Sequence, residues 1–313
     1  MSSRSKATTF FRTTFLNHWN VTNISLTDTP YYRAKFTFPG LSHESFDRDG
    51  NPKITSLMMT SVFARGFILN KPLTDSGDTF LDWKIITEDR FTFVSSTHFK
   101  MSKQLYNADI PKWPLDVDVS LAYVGNSSMA SITSFYNSGD TSEPLWSQVN
   151  QVVCVDKVSR KPIPFPDWYK DKYKEKCCMD KGLIIKPFQR PTKTYCMPVV
   201  VRWSDTDGYN HTNFASYVHW VVNAIHASLS EQSAEVAKDE SSSSAMPLIS
   251  KEIITNGLKD IQICYLSESL ENQSLDVHIW QQDQENHKVY AAIERGKDDI
   301  CQMQLEYFDT AAE

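Results

Sequence analysis

Two kinds of hydrophobic period run along the chain, and they come in the same order twice. In the first half Ile54, Leu57, Met58 and Val62 fall at helical spacing, with Asn51 placed as an N-cap and Pro52 at the first helical position. That pattern predicts a helix of about four turns, ending at Gly66. A period of two then takes over, as Leu115, Val117, Val119, Leu121 and Tyr123 alternate with Asp116, Asp118, Ser120 and Ala122. Gly125-Asn126 supplies turn residues before Ser127 to Tyr136 resumes as a strand, which predicts an antiparallel hairpin. A further strand is expected from Trp146 to Val155.

The second half repeats this sequence of elements. Pro198 to Trp203 reads as a strand, and Phe214, Tyr217, Val218, Val221, Val222 and Ile225 then mark a strongly amphipathic helix. Strand periods follow at Ile261 to Tyr265, Leu275 to Ile279, Val289 to Ile293 and Cys301 to Tyr307. Between the halves, Pro162 to Pro166 and the Lys-rich run from Lys170 to Lys193 break both periods, as a surface linker would. The pattern implies a duplicated α+β unit: an extension over 1–27, a first domain over 28–175, a linker over 176–193 and a second domain over 194–313. The stretch Ser230 to Ser244 reads as a mobile loop after the second helix.

Composition changes this picture little. Of 313 residues 41% are hydrophobic and 22% charged, as expected of an ordinary folded chain with room for two domains. No stretch approaches the roughly 18 consecutive apolar residues of a membrane span. Six cysteines show neither zinc-ligand spacing nor the density of a disulfide scaffold, so a reducing compartment is expected. A net charge of −6 provides no field for a phosphate backbone, which argues against nucleic acid. The segment Met1 to Thr27 carries Arg4, Lys6 and Arg12 and no acidic residue. It reads either as a frayed end, with a cytoplasmic location, or as a mitochondrial address.

The chemistry is concentrated in Arg202-Trp203-Ser204-Asp205-Thr206-Asp207-Gly208-Tyr209-Asn210-His211-Thr212-Asn213, directly before the second helix. This segment resembles the signature of hotdog acyl thioesterases, within the 4-hydroxybenzoyl-CoA thioesterase-like superfamily, and most of all that of the plant acyl-ACP thioesterases. Trp203, Ser204, Asp205, Asp207, His211 and Asn213 stand where that family's pattern has the same residue types. Tyr265-Leu266-Ser267-Glu268-Ser269 is similar to the family strand that carries a catalytic Glu followed by Cys. The family's catalytic Asn falls on Tyr209, with Asn210 beside it. Looser likeness runs through Gly40 to Gly66 and from Val152 to Pro164.

The resemblance implies two tandem hotdog domains, each a long central helix wrapped by an antiparallel sheet, as a monomeric double hotdog or a homodimer. It implies hydrolysis of an acyl thioester on coenzyme A or acyl carrier protein, without cofactor or metal; the alternatives are a hotdog hydratase or dehydratase acting on acyl thioesters and a non-catalytic acyl-binding hotdog protein. Asp207, His211, Glu268 and Asn210 would be catalytic, and Tyr209, Asn213 and Ser269 would touch substrate. A thiol leaves without strong acid assistance, so the reaction needs a carboxylate to activate water or attack, plus donors for the developing oxyanion. The N–H groups of residues 208–214, opening a helix, are candidates for those donors. Either Asp207 or Glu268 could be the base.

Plainer readings accompany each motif. Asp205, Asp207 and Asn210 also suit turns and caps, and a Glu among polar residues suits a solvated face. His219 and His226 on the second helix lack a third ligand at metal spacing. His43, Glu44, Asp47 and Asp49 mark a corresponding first-half loop, in which Asp49-Gly50-Asn51 reads as a turn and cap. Met58, Met59 and Phe63 suit either core or an acyl pocket. The linker lysines suit either a solvated run or a phosphate contact.

Overall fold

Among the described residues, six strands and one long helix form the framework of the first of two units into which the chain divides, Met1–Ile184 and Ile185–Glu313. The computed structural model describes residues 19–208, 210–236, 249, 255–282, 285 and 287–309. In the first unit β1 (Thr22–Thr27), β2 (Arg33–Phe38), α1 (Ile54–Asn70), β3 (Arg90–Met101), β4 (Leu115–Val124), β5 (Ser128–Asn137) and β6 (Trp146–Asp156) follow in turn. The strands are antiparallel, in the order β1-β2-β4-β5-β6-β3.

Trp146 fastens α1 to this sheet. Its ring is fully buried and stacks on Phe135 with centroids 4.2 Å apart, while Nε1 donates to Ser61 Oγ on α1 at 3.1 Å. Ser61 Oγ in turn donates to the Leu57 carbonyl, so this hydroxyl is satisfied both as donor and as acceptor. Burying two such rings stabilises the unit by up to roughly 4–6 kcal/mol each by area.

Several expectations are corrected here. The first helix starts at Ile54 with Lys53 at its cap, because Asn51 is held in the preceding loop and Pro52 bridges to Phe46. It runs on through Gly66 to Asn70, since burial of Phe67, Ile68 and Leu69 outweighs the roughly 1 kcal/mol helix penalty of an interior glycine. Thr22–Thr27, placed in the extension, forms the edge strand β1. β3 escaped prediction because a register shift between Val94 and Ser96 interrupts its alternation.

The Lys-rich run contains a helix, α2 (Asp167–Tyr173). Its buried stripe is only Tyr169 and Tyr173, two rings at i and i+4 among lysines, too narrow to show as a period. Lys172 Nζ and Tyr173 OH converge on Asp82 Oδ2 at 2.7 and 2.9 Å. Beyond α2 the N–H groups of Cys178 and Met179 donate to the carbonyls of Leu121 and Ala122, so the chain stays with the first unit here.

The second unit contains β7 (Tyr195–Val200), α3 (Phe214–Val236), β8 (Leu258–Tyr265), β9 (Ser274–Trp280), β10 (Lys288–Arg295) and β11 (Asp298–Tyr307). Its antiparallel order β8-β11-β10-β9-β7 matches β3-β6-β5-β4-β2 of the first unit strand for strand. The fold is α+β, with antiparallel sheet and few helices. The strand expected at Pro198 to Trp203 ends at Val200, and Trp203–Asp205 form a 3-10 turn instead. α3 continues to Val236 and so takes in the start of the Ser230 to Ser244 stretch; residues 237–244 lie outside the described residues, as do residues 1–18 of the basic N-terminal segment. Among the described residues no helix is long and apolar enough to cross a membrane.

Gly40 and Gly50 both have positive φ, +105° and +82°. A Cβ on Gly40 would lie 2.3 Å from the Lys112 carbonyl and 2.6 Å from Trp113 Cα, whereas one on Gly50 meets nothing within 4 Å. Gly50→Ala should cost about 1–2 kcal/mol of backbone strain and Gly40→Ala at least about 3 kcal/mol. Chemical denaturation of the two variants checks this; equal losses would contradict it.

Candidate active site

The segment from Arg202 to Asn213 is shaped by its own backbone bonds. Asp205 Oδ2 accepts from the Arg202 N–H at 2.8 Å, and the Asp205 carbonyl accepts from the Asn213 N–H and from Ser216 Oγ. Within that frame Asp207 closes a tighter loop. Its N–H donates to the His211 carbonyl at 2.8 Å, its carbonyl accepts from Asn210, and its Oδ1 accepts from the His211 N–H at 3.3 Å. Asn210 takes φ +62°, a left-handed conformation that Asn tolerates better than most residues. Asn213 caps α3, its Oδ1 accepting from the Ala215 N–H at 3.0 Å.

A second segment comes up against this loop. Glu268 was expected on a strand, but β8 ends at Tyr265 and Glu268 lies in the loop beyond it. The Thr212 N–H and Oγ1 both donate to the Ser269 carbonyl, at 2.8 and 3.1 Å, and His211 bridges to Leu270. These bonds bring Glu268 Oε2 to 3.4 Å from His211 Nε2. The imidazole side chain is 14% exposed and the carboxylate 47%, so the pair is open to solvent on the Glu268 side. Arg295 Nη1 holds the Glu268 carbonyl at 3.2 Å.

Ser269 is fully buried, with its Oγ 2.6 Å from Thr212 Oγ1 and 2.9 Å from the Tyr217 hydroxyl. One proton arrangement satisfies all three groups: Tyr217 donates to Ser269 Oγ, Ser269 to Thr212 Oγ1, and Thr212 to the Ser269 carbonyl. Burial pushes the Tyr217 phenol up to about 12, so its proton is retained at neutral pH. Thr212 and Tyr217 were not foreseen as site residues, because a lone Thr and a helix-face Tyr carry no motif of their own.

Tyr209 lies outside the described residues. Asn210, His211, Thr212 and Asn213 already use their N–H groups inside the protein. The oxyanion donors expected within residues 208–214 therefore narrow, among the described residues, to Gly208 and Phe214. His219 faces Asn223 at 3.1 Å, and no group of three or more His, Cys, Asp or Glu among the described residues is placed to hold a metal.

The first unit repeats this loop at one constant offset, with 47 corresponding to 207, 51 to 211 and the helix start 54 to 214. The Asp47 N–H donates to the Asn51 carbonyl, Asp47 Oδ1 accepts from the Asn51 N–H at 2.9 Å, and Lys53 donates to Ser45 as Asn213 does to Asp205. The position of His211 is held there by Asn51. No carboxylate–imidazole pair forms on the first loop among the described residues.

Among solved structures, this chain is similar to two acyl-ACP thioesterases. A 12:0-ACP thioesterase from Umbellularia californica matches at TM-score 0.62 and 17% identity, covering 88% of this chain and 97% of its own. An acyl-ACP thioesterase from Bacteroides thetaiotaomicron matches at TM-score 0.59 and 11% identity, over 88% and 98%. The chain has the hotdog fold of these structures. No family profile matches its sequence, and no curated protein does. At these identities the hotdog likeness is one of architecture, and the chemistry rests on the side chains just described.

The hydroxyl chain fastening the two segments gives a direct test. Ser269→Ala removes the buried hydroxyl that lies between Thr212 Oγ1 and the Tyr217 hydroxyl and should lower stability by about 1–3 kcal/mol. Urea titration measures this, and a change below about 0.5 kcal/mol would show that the chain does not hold the site together.

Proposed function

We propose that this protein is a tandem hotdog enzyme that hydrolyses an acyl thioester carried on coenzyme A or acyl carrier protein, releasing a fatty acid and a thiol. The two domains read from the sequence, 28–175 and 194–313, would be the hotdog parts of the units Met1–Ile184 and Ile185–Glu313. The observation that carries the reading is the Glu268–His211 pair, 3.4 Å apart where the loop beyond β8 meets the loop that opens α3.

In the proposed reaction Glu268, the more open carboxylate, takes a proton from water as it attacks the thioester carbon, and His211 orients that water or the carbonyl. Asp207 holds the His211 backbone through its Oδ1 and so sets the imidazole's place. Charge builds on the carbonyl oxygen next to the N-terminus of α3, where the helix dipole and any N–H left to it favour a negative charge. The thiolate then leaves. Ser269 acts from behind, by positioning. The alternative order, with Asp207 as base or a carboxylate as nucleophile, uses the same residues. The acyl-ACP thioesterases that share the fold favour a carrier-protein substrate as the first to try.

The assay is thiol release from a panel of acyl-CoA and acyl-ACP thioesters of graded chain length. Turnover on at least one carrier is expected, and none on either would sink the reading. Asp207→Asn and Glu268→Gln should each reduce kcat/KM at least tenfold, or about 1.4 kcal/mol of transition-state stabilisation. Asp47→Asn and Asp49→Asn should change it less than twofold. Loss confined to the first-half pair would move the active site.

A further inference from the structure

The hairpin of β10 and β11 slips by one residue just before its turn. Ile293 faces Cys301, but Glu294 faces Asp299 and Arg295 faces Asp298, so Ile300 is left without a partner on β10. The matching pair in the first unit, β5 and β6, keeps one register from Ser128–Val153 to Phe135–Trp146. A bulge turns a backbone group out of the ladder and re-aims the side chains beyond it. Here the Ile300 carbonyl accepts from two successive N–H groups, those of Leu266 and Ser267, at 2.9 and 3.1 Å. Arg295, past the bulge, reaches the same loop from the other strand. Its Nη1 donates to the Glu268 carbonyl at 3.2 Å and to Gln273 Oε1 at 3.1 Å, and Gln273 Oε1 also accepts from the Leu270 N–H at 3.0 Å.

These contacts fix the backbone at three consecutive residues. Ser267 is held through its N–H, Glu268 through its carbonyl, and Ser269 through the carbonyl to which Thr212 donates. The Glu268 carbonyl belongs to the rigid peptide plane that follows its Cα, so holding it sets ψ of Glu268 and with it the point from which the side chain starts. A misplacement of about 1 Å at a reacting group costs on the order of a hundredfold in rate. The remaining contact of Arg295 is a surface pair, Nη2 to Asp298 Oδ2 at 3.7 Å, with the two side chains 34% and 72% exposed. Such a pair adds little to stability.

We propose that Arg295 is a positioning residue for Glu268, aimed by the bulge at Ile300 so that it holds the Glu268 carbonyl and keeps the carboxylate against His211. Its role in turnover rests on the thioesterase reading; its placing of Glu268 does not. A guanidinium suits the task because Nη1 serves two oxygens of the loop while Nη2 turns to Asp298, a fork that a lysine ammonium reproduces only in part.

The full-length protein is assayed for thiol release from its best acyl thioester, and the His211 ring is followed by heteronuclear NMR of histidine-labelled protein at neutral pH. Arg295→Met should lower kcat at least tenfold with KM within twofold. It should keep Tm within about 2 °C and move the His211 ring signals in the direction in which Glu268→Gln moves them. Arg295→Lys should recover part of kcat and of the signals. Asp298→Asn, which breaks the surface pair alone, should change kcat less than twofold. A raised KM at unchanged kcat in Arg295→Met overturns the proposal, because Arg295 would then bind substrate. So does a loss of kcat as large in Asp298→Asn, and so does a Tm lowered by more than about 5 °C in both Arg295 variants, which would make the residue structural. His211 signals that stay in place in Arg295→Met overturn it with or without turnover. A wild-type protein that releases no thiol from either carrier sinks the thioesterase reading instead, and the ring signals then decide this proposal.

Discussion

Everything at the candidate site depends on one requirement: the N–H groups of the loop that leads into a long helix, and of the helix's first turn, must find partners. The Asp207 loop meets it with the Asp207 carboxylate, the Asp205 carbonyl, the Asn213 amide oxygen and the Ser269 carbonyl. The last of these lies on a different segment. Satisfying Thr212 therefore draws the chain beyond β8 against the loop, and with it Glu268 against His211. The reactive pair follows from closing a helix end.

The first unit meets the same requirement with the same geometry. Asp47 and Asp207 each accept the N–H four residues on, and each loop leads into a helix that covers the sheet. What differs is the side chain that the scaffold presents, Asn51 in one copy and His211 in the other. The interiors diverge too, with Arg65 standing where the second copy has Ile225. Duplication supplies two equivalent frames, and substitution inside each frame decides what it does. Among the described residues, the second frame alone of the two brings a carboxylate to an imidazole.

How much of this was legible beforehand follows from physical range. Elements with a wide buried stripe, such as α3 or the β4–β5 hairpin, announced themselves through Val218, Val221 and Ile225 or through Val117, Val119 and Leu121. α2 did not, because two tyrosines among lysines make too thin a stripe. β3 did not, because its buried positions include Ser96 and Thr97. Gly66 was read as a stop because local propensity disfavours it, and the burial that carries α1 past it is a tertiary effect. The Asp207 and His211 positions were visible as a motif. The bonds joining them to Glu268, through Thr212, Ser269 and Tyr217, span more than fifty residues and leave no local trace.

Since the two loops differ chemically where they agree structurally, the most direct measurement exchanges the differing residue. His211→Asn gives the second loop the residue that already forms the same backbone bonds at Asn51 in the first. The variant should keep its Tm within about 2 °C, a change below about 1 kcal/mol for a chain of this size, while thiol release from the best acyl thioester falls at least a hundredfold. Activity retained within a few-fold in a stable His211→Asn protein would contradict the account, because the imidazole would then not be part of the chemistry.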